Sequence, residues 1–251
     1  MAETLYGRNA VREALRAGRR RCQRLLVSAG AQETGTLAEI IKLAEKANVR
    51  VERIDRRELD ARMRDANHQG VALECGDYPY VEVEDCLALA EERGEQALLV
   101  LLDHLQDPQN IGTLLRTAEN VGAHGVIMPG RRAAEVTPAV VNASAGAVEH
   151  LRVVVVTNLA QTIEQLQKAG IWVVGLEEDD RAHDYDDMDL DMPLALVVGA
   201  EGPGLARLTR ERCDFMLRLP MRGEVASLNA AVAGSIMLYH AWRSRRSSRA
   251  G

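Results

Sequence analysis

Three segments of the 251-residue chain combine polar side chains and glycines at spacings that could do chemistry. The first is Asp107-Pro108-Gln109-Asn110-Ile111-Gly112-Thr113-Leu114-Leu115-Arg116-Thr117-Ala118. Asn110 is a good helix N-cap, able to satisfy an orphan amide. Arg116 adjoins apolar Leu114 and Leu115, and a cation so close to an apolar face needs a partner or a task. Alone, the segment reads equally well as a cap followed by a solvated arginine. The second is Val197-Val198-Gly199-Ala200-Glu201-Gly202-Pro203-Gly204-Leu205, a strand ending in a glycine-rich turn with one acid. It carries no GxxxxGKS/T signature, no basic residue within the turn and no GxGxxG, so it is not a phosphate loop. Glycines that admit a ligand to the backbone, beside a carboxylate, suit a neutral or cationic ligand. The plainer alternative is a tight turn with Pro203 at a helix start. The third is Leu219-Pro220-Met221-Arg222-Gly223-Glu224-Val225-Ala226-Ser227-Leu228-Asn229-Ala230-Ala231-Val232-Ala233. Here a strand ends and a small-residue helix starts near Ser227. Ala230, Ala231, Ala233 and Gly234 let another backbone approach, which in isolation is helix packing more often than catalysis.

All three segments follow predicted strands, where ligands collect in open α/β sheets. Ala97–Leu102 and Leu194–Val198 are continuous aliphatic runs, as buried parallel strands require. Gly125–Met128, Val153–Val156, Ile171–Leu176 and Met216–Leu219 complete the strand set. Ile111–Val121, Pro138–Ser144, Leu159–Ala169 and Ser227–Trp242 read as helices. Upstream, Arg24–Ser28, Val49–Ile54 and Val71–Cys75 read as strands, with helices over Thr36–Ala47 and Arg57–Arg64, a small α/β unit of its own. The acidic stretch 77–96, with a short helix at about 84–92, reads as the linker, and 177–191 as a surface loop. No internal repeat is present.

Composition narrows the class. Hydrophobic residues make up 47% and aromatic residues only 3%, so the core is aliphatic. No apolar run is long enough to span a membrane, and the N-terminus lacks a signal-peptide apolar region. Cys22, Cys75, Cys86 and Cys213 form no CxxC pair, which fits neither a zinc site nor a disulfide framework and suits a reducing cytoplasm. The net charge of −6 is uneven. Residues 1–75 carry +4 and 192–251 carry +5, while 76–98 carry −6 and 177–191 carry −8. Of 31 basic residues 28 are Arg, whose forks bind phosphate and stack on bases. A basic N-terminal unit is an RNA-like footprint. An arginine-favouring genome gives the same composition.

In combination, NxGxxxRTA, GAEGxG and LPMxGxVxSLNxxVA, in this order, resemble the SpoU family of RNA ribose methyltransferases, part of the SPOUT class of knotted methyltransferases. The resemblance covers nearly the whole chain. It implies an α/β fold with a C-terminal trefoil-knotted domain, a parallel sheet with helices on both faces, and a small N-terminal α/β domain like ribosomal protein L30e. The domains it implies are 1–76 for RNA substrate binding, the linker 77–96, the knotted methyltransferase 97–245 and a basic tail 246–251. Tyr6-Gly7-Arg8-Asn9-Ala10-Val11 and Asn67-His68-Gln69-Gly70-Val71-Ala72 are most similar to the subgroup that modifies large-subunit rRNA. Asn9 stands where relatives often have His, and Ala230-Ala231 where Val-Ser is more usual.

The resemblance further implies S-adenosyl-L-methionine as methyl donor, cradled by backbone around Gly199, Leu219 and Leu228. Glu201 would sit near the donor or the target nucleotide. Arg116 would be the catalytic arginine, oriented with the ribose by Asn110, Ser227 and Asn229. Arg is effectively always protonated, so electrostatic stabilisation of a developing alkoxide suits it better than base catalysis. The expected reaction is 2′-O-methylation of a guanosine in 23S rRNA, free or in a large-subunit precursor, in the peptidyl-transferase region. A homodimer completing the site, a cytoplasmic location and no metal or membrane are expected. The alternatives are a tRNA guanosine 2′-O-methyltransferase and a non-catalytic RNA-binding assembly factor. None of His68, His104, His124, His150, His183 and His240 has an acidic partner at a motif position. Asp103 and Asp107 read as caps or solvated residues.

Overall fold

Strands and helices alternate along the chain, and backbone pairing sorts the strands into two sheets in this computed structural model. The structure describes residues 3–64, 66–130, 135–179, 182–224 and 227–248. In chain order the first elements are β1 (Glu3–Tyr6), α1 (Arg8–Ala17), β2 (Cys22–Ser28), α2 (Thr36–Lys46), β3 (Arg50–Ile54), α3 (Arg56–Met63) and β4 (Val71–Cys75). Then come α4 (Val83–Glu92), β5 (Leu98–Asp103), α5 (Pro108–Asn120), β6 (Gly125–Pro129), α6 (Pro138–Ala143), β7 (Val153–Val156) and α7 (Leu159–Lys168). The last are β8 (Trp172–Leu176), β9 (His183–Asp184), β10 (Leu194–Gly199), α8 (Arg207–Arg212), β11 (Phe215–Arg218) and α9 (Ala230–Ser248). Two compact units result: Met1–Pro79 with Val136–His150, and Tyr80–Glu135 with Leu151–Gly251.

The first unit is a four-stranded sheet in the order β1-β4-β2-β3, with β4 antiparallel to β1 and β2 and β3 parallel to β2. Helix α1 buries Ala10, Val11, Ala14 and Leu15, a 3.6-residue stripe, and ends at Gly18 in the left-handed region. Helix α2 buries Leu37, Ile40, Ile41 and Ala44. Asp55 caps α3 by accepting from the Arg57 amide at 2.8 Å.

A buried ion pair joins the Val136–His150 segment to this sheet. The Arg20 side chain is fully buried. Its Nε donates to Glu149 Oε2 at 3.0 Å, and its Nη1 donates to Glu3 Oε2 at 2.5 Å. Tyr78 stacks under the guanidinium at 5.0 Å and donates its hydroxyl to the Val148 carbonyl at 2.9 Å. Burial pushes the Glu149 carboxyl up, and Arg20 offsets part of that.

The second unit is a seven-stranded, all-parallel sheet in the order β7-β6-β5-β10-β8-β11-β9. Every residue of β5 and β10 is buried, which explains their unbroken aliphatic sequence. Leu99, Leu101 and Val197 meet Ile163 and Leu166 of α7 on one face. On the other face α5 packs against α9 and α9 against β10. A Cβ on Gly234 would lie 2.8 Å from Leu114 Cδ1 and 3.0 Å from Val198 Cγ2, so the small-residue stretch of α9 does serve close packing.

The structure departs from the sequence reading in several places. It adds β1 and α1, where the arginines and glutamates of 3–17 mask the periodicity. Helix α9 starts at Ala230, not Ser227, and runs through Ser248; of the basic tail, 249–251 lies outside the described residues. The short helix expected at about 84–92 is present as α4, but the stretch is more than a linker, since Cys86 and Ala90 are buried in the core of the second unit. The stretch read as an acidic loop holds β9, paired to β11, and a turn of 3-10 helix at Tyr185–Asp187. Among the described residues no helix is long and apolar enough to cross a membrane, and no His/Cys/Asp/Glu cluster could hold a metal.

Replacing one member of a buried ion pair strands the other charge, so Arg20→Met is expected to cost about 3–5 kcal/mol. Urea denaturation should show this loss, and Arg20→Met with Glu149→Leu should recover most of it. Equal stability of the single variant and the parent would show that the pair does not hold the segment.

Candidate active site

Because the sheet is parallel, β5, β8, β10 and β11 all end on one edge. At that edge β10 enters the turn 199–205. Gly199 is forced by close approach: an added Cβ would lie 2.5 Å from the Gly204 carbonyl carbon. Gly204 has φ +68°, and its amide donates to the Ala200 carbonyl at 3.0 Å. The turn is thus folded back on itself and leaves backbone open on its outer side. Its far end is held by Asp103 of β5, which is 1% exposed and accepts from the Ala206 amide at 2.7 Å.

The second layer of the site is a side-chain junction. Asn229 Oδ1 accepts from the Ala231 amide at 3.0 Å and the Val232 amide at 3.1 Å, capping α9. Its Nδ2 donates to Asn110 Oδ1 at 2.8 Å and to Glu201 Oε1. The two backbone donors and the carboxylate fix which end of the amide is oxygen. Asn110, Glu201 and Asn229, distant in sequence, therefore meet at one point. Asn110 is not the cap of α5; Asp107 is, accepting from the Gln109 amide at 3.1 Å, with Pro108 in the first turn. That frees the Asn110 side chain to bond across to α9.

A cleft of about 510 Å³ opens beside this junction. Its walls include Gly199, Glu201, Leu219, Ser227, Leu228 and Asn229, six of the eight residues singled out in the sequence. Val225 and Ala226 of the third segment lie outside the described residues. Arg116 is not on the cleft wall. It stands six residues beyond Asn110 on α5, about 9 Å along the axis and about 120° around it. It is exposed, and its guanidinium has no partner among the described residues.

The sequence reading missed Glu177, which also lines the cleft. Its side chain pairs with Arg210, and its Oε2 is buried without a hydrogen-bond partner among the described residues. Its place, directly after β8, was the available signal; the surrounding run of acids obscured it. Asp103 is also not a solvated residue: besides Ala206 it contacts His104 Nδ1 through Oδ1 at 2.5 Å. His68, His124 and His150 meet Asp60, Glu95 and Glu13 in the same way.

If Asn229 holds this junction, Asn229→Ala should cost about 1–2 kcal/mol through the lost cap alone. Asn229→Asp should cost more at neutral pH, since it sets a second carboxylate against Glu201. Thermal unfolding of both variants checks the order.

Comparison with known proteins agrees along the whole chain. Residues 97–239 match the SpoU rRNA Methylase family, and residues 4–81 match the RNA 2′-O ribose methyltransferase substrate-binding family. YacO of Bacillus subtilis, assigned to the TrmH family of tRNA/rRNA methyltransferases, is 44% identical over 241 residues, 96% of this chain and 95% of its own. The SpoU methyltransferase AviRb of Streptomyces viridochromogenes, solved in complex with AdoMet, superposes with a TM-score of 0.80 at 26% identity, covering 98% of this chain and 91% of its own. An AdoMet-bound rRNA methyltransferase of Sinorhizobium meliloti gives 0.77 at 25% identity, covering 96% and 87%. With both halves matched in order and the three motif segments gathered at one sheet edge, the chain belongs to the SpoU family of RNA methyltransferases.

Proposed function

We propose that this protein transfers a methyl group from S-adenosyl-L-methionine to the ribose 2′-hydroxyl of a guanosine in 23S rRNA, in the peptidyl-transferase region, during large-subunit assembly in the cytoplasm. The observation that carries the reading is the Asn110–Asn229–Glu201 junction at the mouth of a glycine-walled cleft. The cleft fits the donor. Gly199, Gly202 and Gly204 present backbone to the cleft, and Leu219 and Leu228 supply apolar surface for adenine. The unpartnered Glu177 oxygen suits a ribose hydroxyl of the donor, and Glu201 a sulfonium. When bound, the donor supplies an electrophilic methyl that already carries its leaving group.

The protein's own task is then orientation and charge. The 2′-oxygen attacks the methyl carbon in line, the O–C bond forming as the C–S bond breaks, and the hydroxyl proton passes to an RNA phosphate oxygen. Asn110 and Glu201, locked by Asn229, hold the ribose edge, with Ser227 beside them. Arg116, always protonated, stabilises the negative charge growing on the 2′-oxygen.

The position of Arg116 argues for two copies acting together. Within one chain it does not line the cleft. Helix α9 and its lead-in expose Leu228, Val232, Ile236 and Tyr239 at 38–49%, spaced four, four and three residues apart along one face. Such a stripe beside a catalytic cleft fits a homodimer in which Arg116 of one copy completes the cleft of the other. The substrate-binding match over 4–81 favours structured rRNA. A tRNA substrate is the second reading, since YacO is grouped with enzymes of both kinds.

Labelled methyl should appear as 2′-O-methylguanosine in protein-free 23S rRNA, and not in 16S rRNA or bulk tRNA. Label in tRNA alone would transfer the mechanism to another substrate; no label, with donor bound, would indicate an RNA-binding assembly factor. Arg116→Ala is expected to lower kcat by about 10²-fold, with Arg116→Lys recovering little, because the fork is lost. For the dimer, Ile236→Glu should sediment as a monomer and lose activity. Mixing inactive Arg116→Ala with inactive Glu201→Gln should restore about a quarter of parental activity, because a two-fold dimer exchanges residues reciprocally. No recovery on mixing would place Arg116 and its cleft in the same chain.

A further inference from the structure

The segments Tyr6–Arg8 and Asn67–Gly70 have no role in the cleft, yet the first unit spends considerable structure on bringing them together. β1, β2 and β3 end, and β4 begins, on one edge of the four-stranded sheet. There Gln69 reaches Arg8 twice: its Oε1 accepts from the Arg8 amide at 3.1 Å, and its carbonyl accepts from Arg8 Nε at 3.2 Å. Gln69 adopts φ +53°, an unfavourable backbone for a residue with a side chain. The turn is held there by His68, which is 6% exposed. His68 Nδ1 accepts from the Gly70 amide at 3.0 Å, which places the ring proton on Nε2, 2.6 Å from Asp60 Oδ1. Gly70 also accepts from the Ser28 amide at 2.9 Å. From the other side Asn142 Nδ2 donates to the Tyr6 carbonyl at 3.0 Å, so close to Gly7 that an added Cβ would lie 2.5 Å from it.

What this scaffold presents is half of a guanidinium. Arg8, Arg12 and Arg16 share one face of α1. Arg12 and Arg16 are both tied to Glu13 and Glu39. Among the described residues Arg8 has no carboxylate partner, and its two terminal nitrogens have no partner at all. A fork fixed at Nε with its terminal N–H groups free has the geometry to grip two oxygens of one phosphate. Arg56 and Arg57, exposed and without side-chain partners among the described residues, sit beyond β3 on the same edge. With β1 and β3 at opposite sides of a four-stranded sheet, they lie about 14 Å from Arg8.

We propose that Arg8 is a phosphate-gripping residue for the RNA substrate, and that Gln69, held by His68 and Asp60, is its positioning residue. This rests on the RNA substrate reading above. Binding of the full-length protein to protein-free 23S rRNA, followed by fluorescence anisotropy across a salt series, tests it. Arg8→Ala should weaken binding roughly tenfold, the loss expected for charge-assisted bonds to one phosphate. It should also flatten the slope of log K against log salt by about 0.7–0.9. Gln69→Ala, which removes no charge, should weaken binding while leaving the slope unchanged, and Arg12→Ala should change neither. Binding of S-adenosylmethionine at the cleft should be the same in all three. Equal affinity and slope for Arg8→Ala and the parent would overturn the assignment and leave the RNA reading intact. A parent that binds no RNA would overturn both.

Discussion

The carboxamide of Asn229 has no spare hydrogen-bonding capacity, and the candidate site depends on that saturation. Its oxygen takes two amides of α9, and its nitrogen gives one proton to Asn110 and one to Glu201. Each bond fixes a different part of the chain: the start of α9, the first turn of α5 and the turn after β10. An aspartate could keep the cap but not the two donor bonds, and a serine could not span three partners. Asn229 and Glu201 are exposed and Asn110 is half-buried, so the group specifies one arrangement by its geometry, one amide tying three segments, and water can take the place of a lost partner. The contact between Thr117 and Ser235 hydroxyls, at 2.8 Å, continues the same α5–α9 seam about two helical turns further on.

The parallel sheet is what allows one amide to serve three segments. In such a sheet every strand delivers its C-terminal end to the same edge, so residues 110, 201 and 229 need only follow their own strands to become neighbours. Glycine supplies the remaining adjustment. Gly199 allows the turn to fold back over the strand end, and Gly234 allows α9 to lie close on β10 and α5. Asp103, buried at the end of β5, then pins the far side of the turn. The site is therefore framed by strand ends and helix starts and walled by side chains of the segments between them, Glu201, Leu219, Ser227 and Leu228.

Much of this was legible in the sequence for a physical reason. Buried parallel strands have nearly uninterrupted aliphatic sequence, so the runs ending at Leu102 and Val198 announced their place in the sheet. The polar residues following them announced the edge. The errors have equally specific causes. Asn110 and Asp107 are both good caps; Pro108 settles the choice, because it belongs in the first helical turn. Glu177 was hidden within a long acidic run, although it is the one acid there that directly follows β8. Helix α1 escaped notice because its apolar stripe is built largely from alanines between arginines. The joining of Val136–His150 to the first unit rests on Arg20 and Glu149, a pairing 129 residues apart that no local pattern encodes.

The arginines give the last step. Composition counts them together, and a net charge of −6 makes the chain look indifferent to nucleic acid. The structure separates them by partner. Arg12, Arg16, Arg24, Arg53 and Arg62 are matched to glutamates, and Arg20 is buried against two. Such arginines shape the fold and have little charge left to offer a ligand. Arg8, Arg56, Arg57 and Arg116 have none of these partners among the described residues, and each stands where a strand has just ended or on the exposed side of the helix that follows. An unmatched arginine at a strand-end edge keeps its full charge for an incoming phosphate or a growing negative oxygen, and screening by the surrounding acids is weakest where none is within ion-pair distance. The total charge, dominated by two acidic segments, says almost nothing about such individual cations.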